Sequence, residues 1–300
     1  MTANTGSADE RERVAERLQR SSARFSYDPD VDVDWLAPLV DGAYGKAPER
    51  CSLYGTALWD RLDEGQRGEL SRQEAAAAAA SGIWFELILM QGLVRHVYNS
   101  DPTTRNAQYA LTEIADECRH STMFARSIAK TGGVVRRPSR SAHRAGKVFG
   151  ALCGPALLFA GAIYVEELAD GMQREMMRDP SLQPMIRMIS RIHVLEEARH
   201  ISFAKDELGR AWARHGRVGR ELLRWAIAAM AFVATSELLH PKAYTSVGLD
   251  PREARQAASA NPHWRRTKAA WAAKAVDHFT EIGLIGGPSR RLWRRAGVLG

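Results

Sequence analysis

The apolar residues of this chain fall in long stripes at three- and four-residue spacing, punctuated by Asp-Pro and Gly-Gly pairs, a pattern that predicts helices. Ser71-Arg-Gln-Glu74 has the spacing of a capping box and predicts a helix start there, continuing through the alanine run to about Asn99. Asp101-Pro102 breaks that helix, Thr103 or Thr104 caps a second, and Gly132-Gly133 ends it. A third helix runs up to about Arg178, starting at Pro155 or kinked there, and stops at Asp179-Pro180. A fourth spans about Leu182 to His215, and a fifth, Glu221 to Leu239, stops at Pro241. Two shorter helices follow near Pro251 to Ala260 and Pro262 to Ile282. Residues 1–25 are polar, which predicts a mobile or loosely packed N-terminus, and 26–70, with Pro29, Pro38 and Pro48, read as irregular.

The first four long helices form two hairpins with short turns, joined by a crossover from about Gly132 to Gly154. That is the topology of an all-α, ferritin-like four-helix bundle with additional flanking helices. The expected layout is one domain over residues 26–285 with its core bundle at 71–215, followed by a basic tail over 286–300.

Two stretches of the predicted bundle read alike, Glu117-Cys-Arg-His120 and Glu197-Ala-Arg-His200. Each has a lone Glu in an apolar segment 31 residues upstream, Glu86 and Glu166 respectively. The midpoint of each Glu pair falls at or beside a predicted turn, at Asp101-Pro102 and at Ser181-Leu182. The four carboxylates therefore sit at one level, roughly 20 Å from their loops at about 1.5 Å per residue. Residues three or four apart share a helix face, so Glu117 joins His120, and His193 joins Glu197 and His200. Buried carboxylates must be neutral, hydrogen-bonded or bound to a cation, and four of them converging favour the cation. Glu and His ligands without thiolate suit Fe, Mn or Zn. One Glu from each of two helices plus Glu-x-x-His from each of the other two is the plan of dinuclear carboxylate bundles.

His193 reads either as a third imidazole ligand or as a core histidine on a backbone carbonyl. Glu113, Asp116, Asp170, Arg119 and Arg199 are candidates to support the ligands from behind, against the alternative of ordinary ion pairs. Glu166 and Glu167 cannot both face the bundle axis, and the 31-residue spacing selects Glu166.

Composition changes this picture little. A net charge of +7 is spread along the chain, with a mild cluster at Arg290, Arg291, Arg294 and Arg295 and no aromatic–basic interleaving, which argues against nucleic acid. No long apolar run lacks charge, so no membrane span is expected, and the polar start is no secretory signal. Three scattered cysteines, Cys51, Cys118 and Cys153, fit a reducing cytoplasm.

Asp116-Glu-Cys-Arg-His120 and His193-Val-Leu-Glu-Glu-Ala-Arg-His200 resemble the motifs of the p-aminobenzoate N-oxygenase (AurF-type) di-iron family, which carries H-x-x-x-E-x-x-H. The resemblance covers roughly residues 70–240. It implies Glu86, Glu117, His120, Glu166, His193, Glu197 and His200 as ligands of two iron ions. It further implies O2 as co-substrate, an external electron donor (an electron-transfer protein or a reductant), an arylamine substrate, a biosynthetic role and a homodimer. An Arg that would anchor a benzoate carboxylate about one turn before the first Glu ligand is missing from residues 79–85, which argues against p-aminobenzoate itself. Trp84, Phe85, Met90 and Phe159 are candidates to line an apolar substrate pocket, or simply to fill the core. The alternatives are a di-iron hydroxylase or desaturase acting on carbon, a metal-storing ferritin-like protein, and a purely structural bundle.

Overall fold

The computed structural model describes residues 5–134 and 137–299, and among these the regular structure is helical throughout, apart from one isolated bridge pairing Tyr44 with Leu182. α1 (Thr5–Arg24) is followed by short α2 (Pro29–Asp32) and α3 (Ala57–Asp60). The bundle is two hairpins, α4 (Glu64–Tyr98) with α5 (Arg105–Lys130), and α7 (Pro155–Met176) with α8 (Pro184–Ala213). The crossover between them carries α6 (Arg140–Leu152). α9 (Arg217–Ser236), α10 (Pro241–Thr245), α11 (Pro251–Ala260), α12 (Pro262–Glu281) and α13 (Arg290–Ala296) flank the bundle.

Local chemistry explains where these helices begin and end. Asp63 caps α4 in a capping box with Gln66, so the helix starts seven residues before the expected Ser71. Ser71 and Glu74 instead lie buried inside α4 and hold the preceding segment. The Ser71 hydroxyl donates to the Lys46 carbonyl at 2.6 Å, and Glu74 takes the Lys46 ammonium at 2.5 Å and the Ser52 backbone N–H. Their spacing imitates a cap because both residues face one side of the helix. Thr104 caps α5, and Gly132, at φ +67°, turns the chain away after it.

The N-terminal expectation is corrected. α1 is an ordered helix against α5 and α8, with Ala15 and Leu18 buried. Arg11 makes a forked ion pair with buried Glu207 of α8, at 2.6 and 2.7 Å. Glu12 accepts the free backbone N–H of Arg105 at 2.7 Å at the start of α5. The polar residues that suggested a mobile segment thus serve the ends and seams of the bundle. The expected basic tail is corrected as well. Trp293 of α13 is fully buried, edge-on to Tyr164 at 5.5 Å and near Phe279 at 6.1 Å, while the arginines around it face outward.

The two hairpin turns lie at opposite ends of the bundle. Arg95, near the end of α4, donates to the carbonyls of Gly150 and Cys153 just ahead of α7. At the other end Tyr44 exchanges backbone bonds with Ser181 and Gln183 in the α7–α8 turn, at 2.9 and 3.0 Å. Residues midway along all four helices therefore meet at mid-height. α6 rests on α4 through its small residues Ala142, Gly146 and Gly150. A Cβ on Gly146 would sit 2.7 Å from Ile88 and Trp84. α4 and the segment Arg217–Thr245, which takes in α9 and α10, are long and apolar enough, by length and composition alone, to cross a bilayer. Within α4 that stretch carries Glu86 into the bundle interior.

Candidate metal centre

Glu86 of α4, Glu117 and His120 of α5, Glu166 of α7, and His193, Glu197 and His200 of α8 converge at mid-height, each no more than 3 % exposed. All seven side chains stand in one cluster. Ligand atoms of Glu117, His120, Glu197 and His200 lie within 4.8 Å of one another. The sets Glu86–His120–His193, Glu166–His193–Glu197 and Glu86–Glu117–Glu166 satisfy the same limit.

Glu117 and Glu197 each span the two imidazoles. His120 Nδ1 lies 3.0 Å from an oxygen of Glu117 and 3.0 Å from one of Glu197. His200 Nδ1 lies 3.0 Å from the other oxygen of each. Ligand atoms about 3 Å apart suit neighbouring ligands on a cation with metal–ligand bonds of about 2.0–2.2 Å, so these residues fit a metal. His193 Nε2 faces Glu86 and Glu197, both at 3.5 Å, and its ring lies 4.6 Å from that of His120.

The far side of each imidazole is held by a carboxylate from the opposite hairpin. His120 Nε2 reaches Glu196 at 2.8 Å, and His200 Nε2 reaches Asp116 at 3.2 Å. A neutral imidazole that donates its Nε2 proton to these acids turns an Nδ1 lone pair toward the cluster, as a metal ligand must. Arg119 pairs with Asp116, and Arg199 lies 3.7 Å from both Asp116 and Glu196 while donating to the Phe25 carbonyl at 3.1 Å. Glu196 also accepts the Tyr27 N–H at 3.1 Å. Glu196 was missed in the sequence, although its signal was present. It precedes Glu197 as Asp116 precedes Glu117, so the repeated unit is acid-Glu-x-Arg-His.

Two other supporting candidates do not act this way. Asp170 pairs with Arg174 at 2.7 Å and with Lys274 of α12 at 2.8 Å, so it ties α7 to its flanking helix. Glu113 is buried with both carboxylate oxygens unpartnered and touches no imidazole by a hydrogen bond. Burial pushes its pKa well up, which keeps it a neutral acid. Glu167 points out of the cluster to Lys205 of α8 at 2.7 Å, which leaves Glu166 as the inward residue.

The electrostatics call for cations. Burial, reinforced by the charges of Glu117 and Glu197, raises Glu86 and Glu166 well above the carboxylate range. Burial and Glu197 also work to raise Glu117, but the imidazoles of His200 and His120 hold it down at about 2. Burial lowers His193 to about 4, so this imidazole is neutral. One carboxylate oxygen each of Glu86 and Glu166 has no hydrogen-bond partner despite full burial, and one each of Glu117 and Glu197 has only imidazole nitrogens beside it. Four ionised carboxylates balance two divalent cations, which would satisfy those atoms in one step.

Two cavities meet the cluster at Glu166. A narrow one of about 80 Å³, walled largely by alanines of α4 and by Ile128, Val165 and Ile189, also touches Glu86 and His193 and extends toward Lys46. A wide one of about 550 Å³ lies between α4, α6, α7 and α9. Trp84 and Phe85 line the wide cavity. Phe159 and Met90 do not. Phe159 is fully buried against His96 and Phe203, and the Met90 sulfur lies 3.5 Å from Cys118 Sγ.

An all-helical bundle that buries four carboxylates and three imidazoles at one level is a ferritin-like protein with a group able to bind metal. Residues 8–283 match the family model described as p-aminobenzoate N-oxygenase AurF, and the chain belongs to that family. Its similar proteins include two described as uncharacterized, Mb0909 of Mycobacterium bovis and Rv0885 of Mycobacterium tuberculosis. Each is 27% identical over 286 residues, covering 92% of this chain and 84% of the relative.

Proposed function

We propose that this protein is a non-haem di-iron monooxygenase that N-oxygenates an aromatic amine, to a hydroxylamine, nitroso or nitro product, in a biosynthetic pathway. Each step puts one oxygen atom of O2 on the nitrogen and releases the other as water, with two electrons from an external donor and two protons; the second addition gives an N,N-dihydroxyamine, which loses one water to become the nitroso compound. Two irons bound by Glu86, Glu117, His120, Glu166, His193, Glu197 and His200 would supply the redox centre that activates O2. The observation that carries this reading is the crossed arrangement at the cluster. The carboxylates of Glu117 and Glu197 and two imidazoles face inward, each imidazole is held from behind by an acid of the other hairpin, and His193 adds a third imidazole.

The chain's own contribution is positional. Glu196 and Asp116 keep the Nε2 protons of His120 and His200 and so fix the ring orientation. The apolar walls beyond Glu166 exclude bulk water and hold the amine beside the cluster. The reading includes a cytoplasmic homodimer served by an electron-transfer protein or a small reductant, with no nucleic-acid or membrane partner. Exposed Leu87, Val94 and Tyr98 on α4 and Leu111 on α5 offer an apolar face for the second copy.

Metal analysis of the purified protein should give two irons per chain, and Glu117→Ala and Glu197→Ala should lose most of them. The reduced protein, given O2 and a panel of aryl and alkyl amines, should yield N-oxygenated aryl products. O2 consumption with oxidation at carbon and none at nitrogen would overturn the reading.

A further inference from the structure

The wide cavity has a composition that restricts what it can take. Among the described residues, Glu166, buried beside the cluster, and Arg144, exposed on α6, are the only charged ones along its wall. Everything between them is apolar, including Ile88, Phe149, Leu157, Met230 and Val233. The space exists because small residues stand where α7 and α9 face α6, namely Gly161 and Ala162 on one side and Ala226 and Ala229 on the other. At about 550 Å³ it falls in the range of pockets for drug-sized ligands, about 300–1,000 Å³, and a single aromatic ring would leave most of it empty. Its apolar walls give ordered water few partners to fill the remainder.

The mouth points the same way. Val148 and Leu152 stand exposed on the α6 rim. On α9, Ala229 lines the mouth and shares a helix face with exposed Trp225 and Phe232. Among the described residues no carboxylate pairs with Arg144. Its guanidinium is, among the described residues, the one cation lining the outer end of an otherwise uncharged passage.

We propose that the substrate of this site is an amphipathic amine: a bulky apolar body of fused rings or a long hydrocarbon, the amine at the Glu166 end, and one anionic group at the mouth against Arg144. This rests on the N-oxygenase reading for the amine, while the apolar body and the anion rest on the cavity itself. The cavity wall between Glu166 and Arg144 gives the small carboxylate of p-aminobenzoate no cation to meet.

The test is a fluorescence titration of the purified protein with N-phenyl-1-naphthylamine and its sulfonated counterpart, 8-anilinonaphthalene-1-sulfonate. The two differ in one anionic group. Both should bind, the sulfonate about two- to fivefold more tightly, the scale of an exposed ion pair. Arg144→Gln should erase that preference and leave the uncharged probe unchanged. Ala229→Trp and Ala145→Trp, at exposed positions that tolerate a larger side chain, should each weaken both probes about tenfold or more with an unchanged melting temperature. Millimolar p-aminobenzoate should not displace either probe. Failure of the parent to bind, displacement by p-aminobenzoate, binding unchanged by both tryptophans, or a sulfonate preference that survives Arg144→Gln would overturn the proposal. Amine oxidation read in parallel separates the two readings. Probe binding as described with no amine oxidised removes the N-oxygenase and keeps the cavity assignment. Oxidation of p-aminobenzoate without probe binding does the reverse.

Discussion

Replacing Glu196 by Ala should weaken metal binding although Glu196 faces no metal. Its side chain is 1 % exposed and holds His120 Nε2 at 2.8 Å, so truncation leaves a buried N–H without a partner and frees the ring to turn or change tautomer. Loss of such a supporting carboxylate costs about 10–100-fold in metal affinity, or about 1.4–2.7 kcal/mol. Glu196→Gln keeps an acceptor oxygen and should fall at the low end. Asp116→Ala should match it through His200, since the two acids are related by the repeat, although its 3.2 Å contact is the longer. Competition against a chelator of known affinity, with Fe(II) added anaerobically, measures the change. Asp170→Ala is the control, because Asp170 is just as buried but pairs with Arg174 and Lys274. It should lose stability and keep metal affinity. If Glu196→Ala binds iron as the parent does, or if Asp170→Ala weakens binding as much, the crossed support of the imidazoles is wrong.

His193→Ala should retain much of the iron, because the other six side chains remain, yet lower O2 consumption per iron. Retention of full O2 turnover would remove His193 from the site. Trp293→Ala should cost about 3–5 kcal/mol in a denaturation experiment, since this ring is fully buried against Tyr164 and Phe279; a loss below about 1 kcal/mol would mean that α13 is dispensable. Glu74→Ala should destabilise by about 3–5 kcal/mol by stranding the Lys46 ammonium, which is 4 % exposed, and Lys46→Met in the same background should restore part of the loss. Burial, with Arg265 nearby, lowers Lys268 to about 8. Between that value and its ordinary 10.5 the unfolded chain holds a proton that the folded chain has released. Stability should therefore rise with pH across this window, while the penalty is fully present below about pH 8. Lys268→Gln should flatten that rise and add about 2 kcal/mol at pH 7, and an unchanged slope in urea titrations from pH 7 to 10 would refute it.

The bundle and its cluster were legible because both follow from periodicity. Breakers at Asp101-Pro102 and Asp179-Pro180 set the hairpins, and equal distances from those turns put Glu86, Glu117, Glu166 and Glu197 at one height. What escaped was whatever depends on contacts between elements distant in sequence. Ser71 and Glu74 have cap spacing, but their partners are Lys46 and Ser52, and nothing local distinguishes a cap from a buried anchor on the same helical face. α1 looked mobile because its charges had no visible partners, and these turned out to be Glu207 and the start of α5. α6 falls inside the expected crossover, where Gly146 and Gly150 weaken helix propensity. Those same glycines let the helix approach Trp84, Ile88 and Gln91 of α4.

The division between what the sequence revealed and what it hid runs through the site itself. All the inward residues but His193 repeat at fixed spacing, so a repeat reveals them, while His193 shows itself by sharing a helix face with Glu197. The acids behind the imidazoles repeat too, but they act across hairpins. Glu196 of the second motif serves His120 of the first, and Asp116 of the first serves His200 of the second. Neither motif is complete alone, because each supplies the support for the other's histidine. The wide cavity repeats nowhere: it is made by small residues on α7 and α9 and by the helix that crosses over them. Metal chemistry is thus written in the symmetric part of this chain, and substrate choice in the part that breaks the symmetry. Substitutions at Gly161, Ala162, Ala226 or Ala229 should therefore change which amine is accepted without changing how much iron is bound.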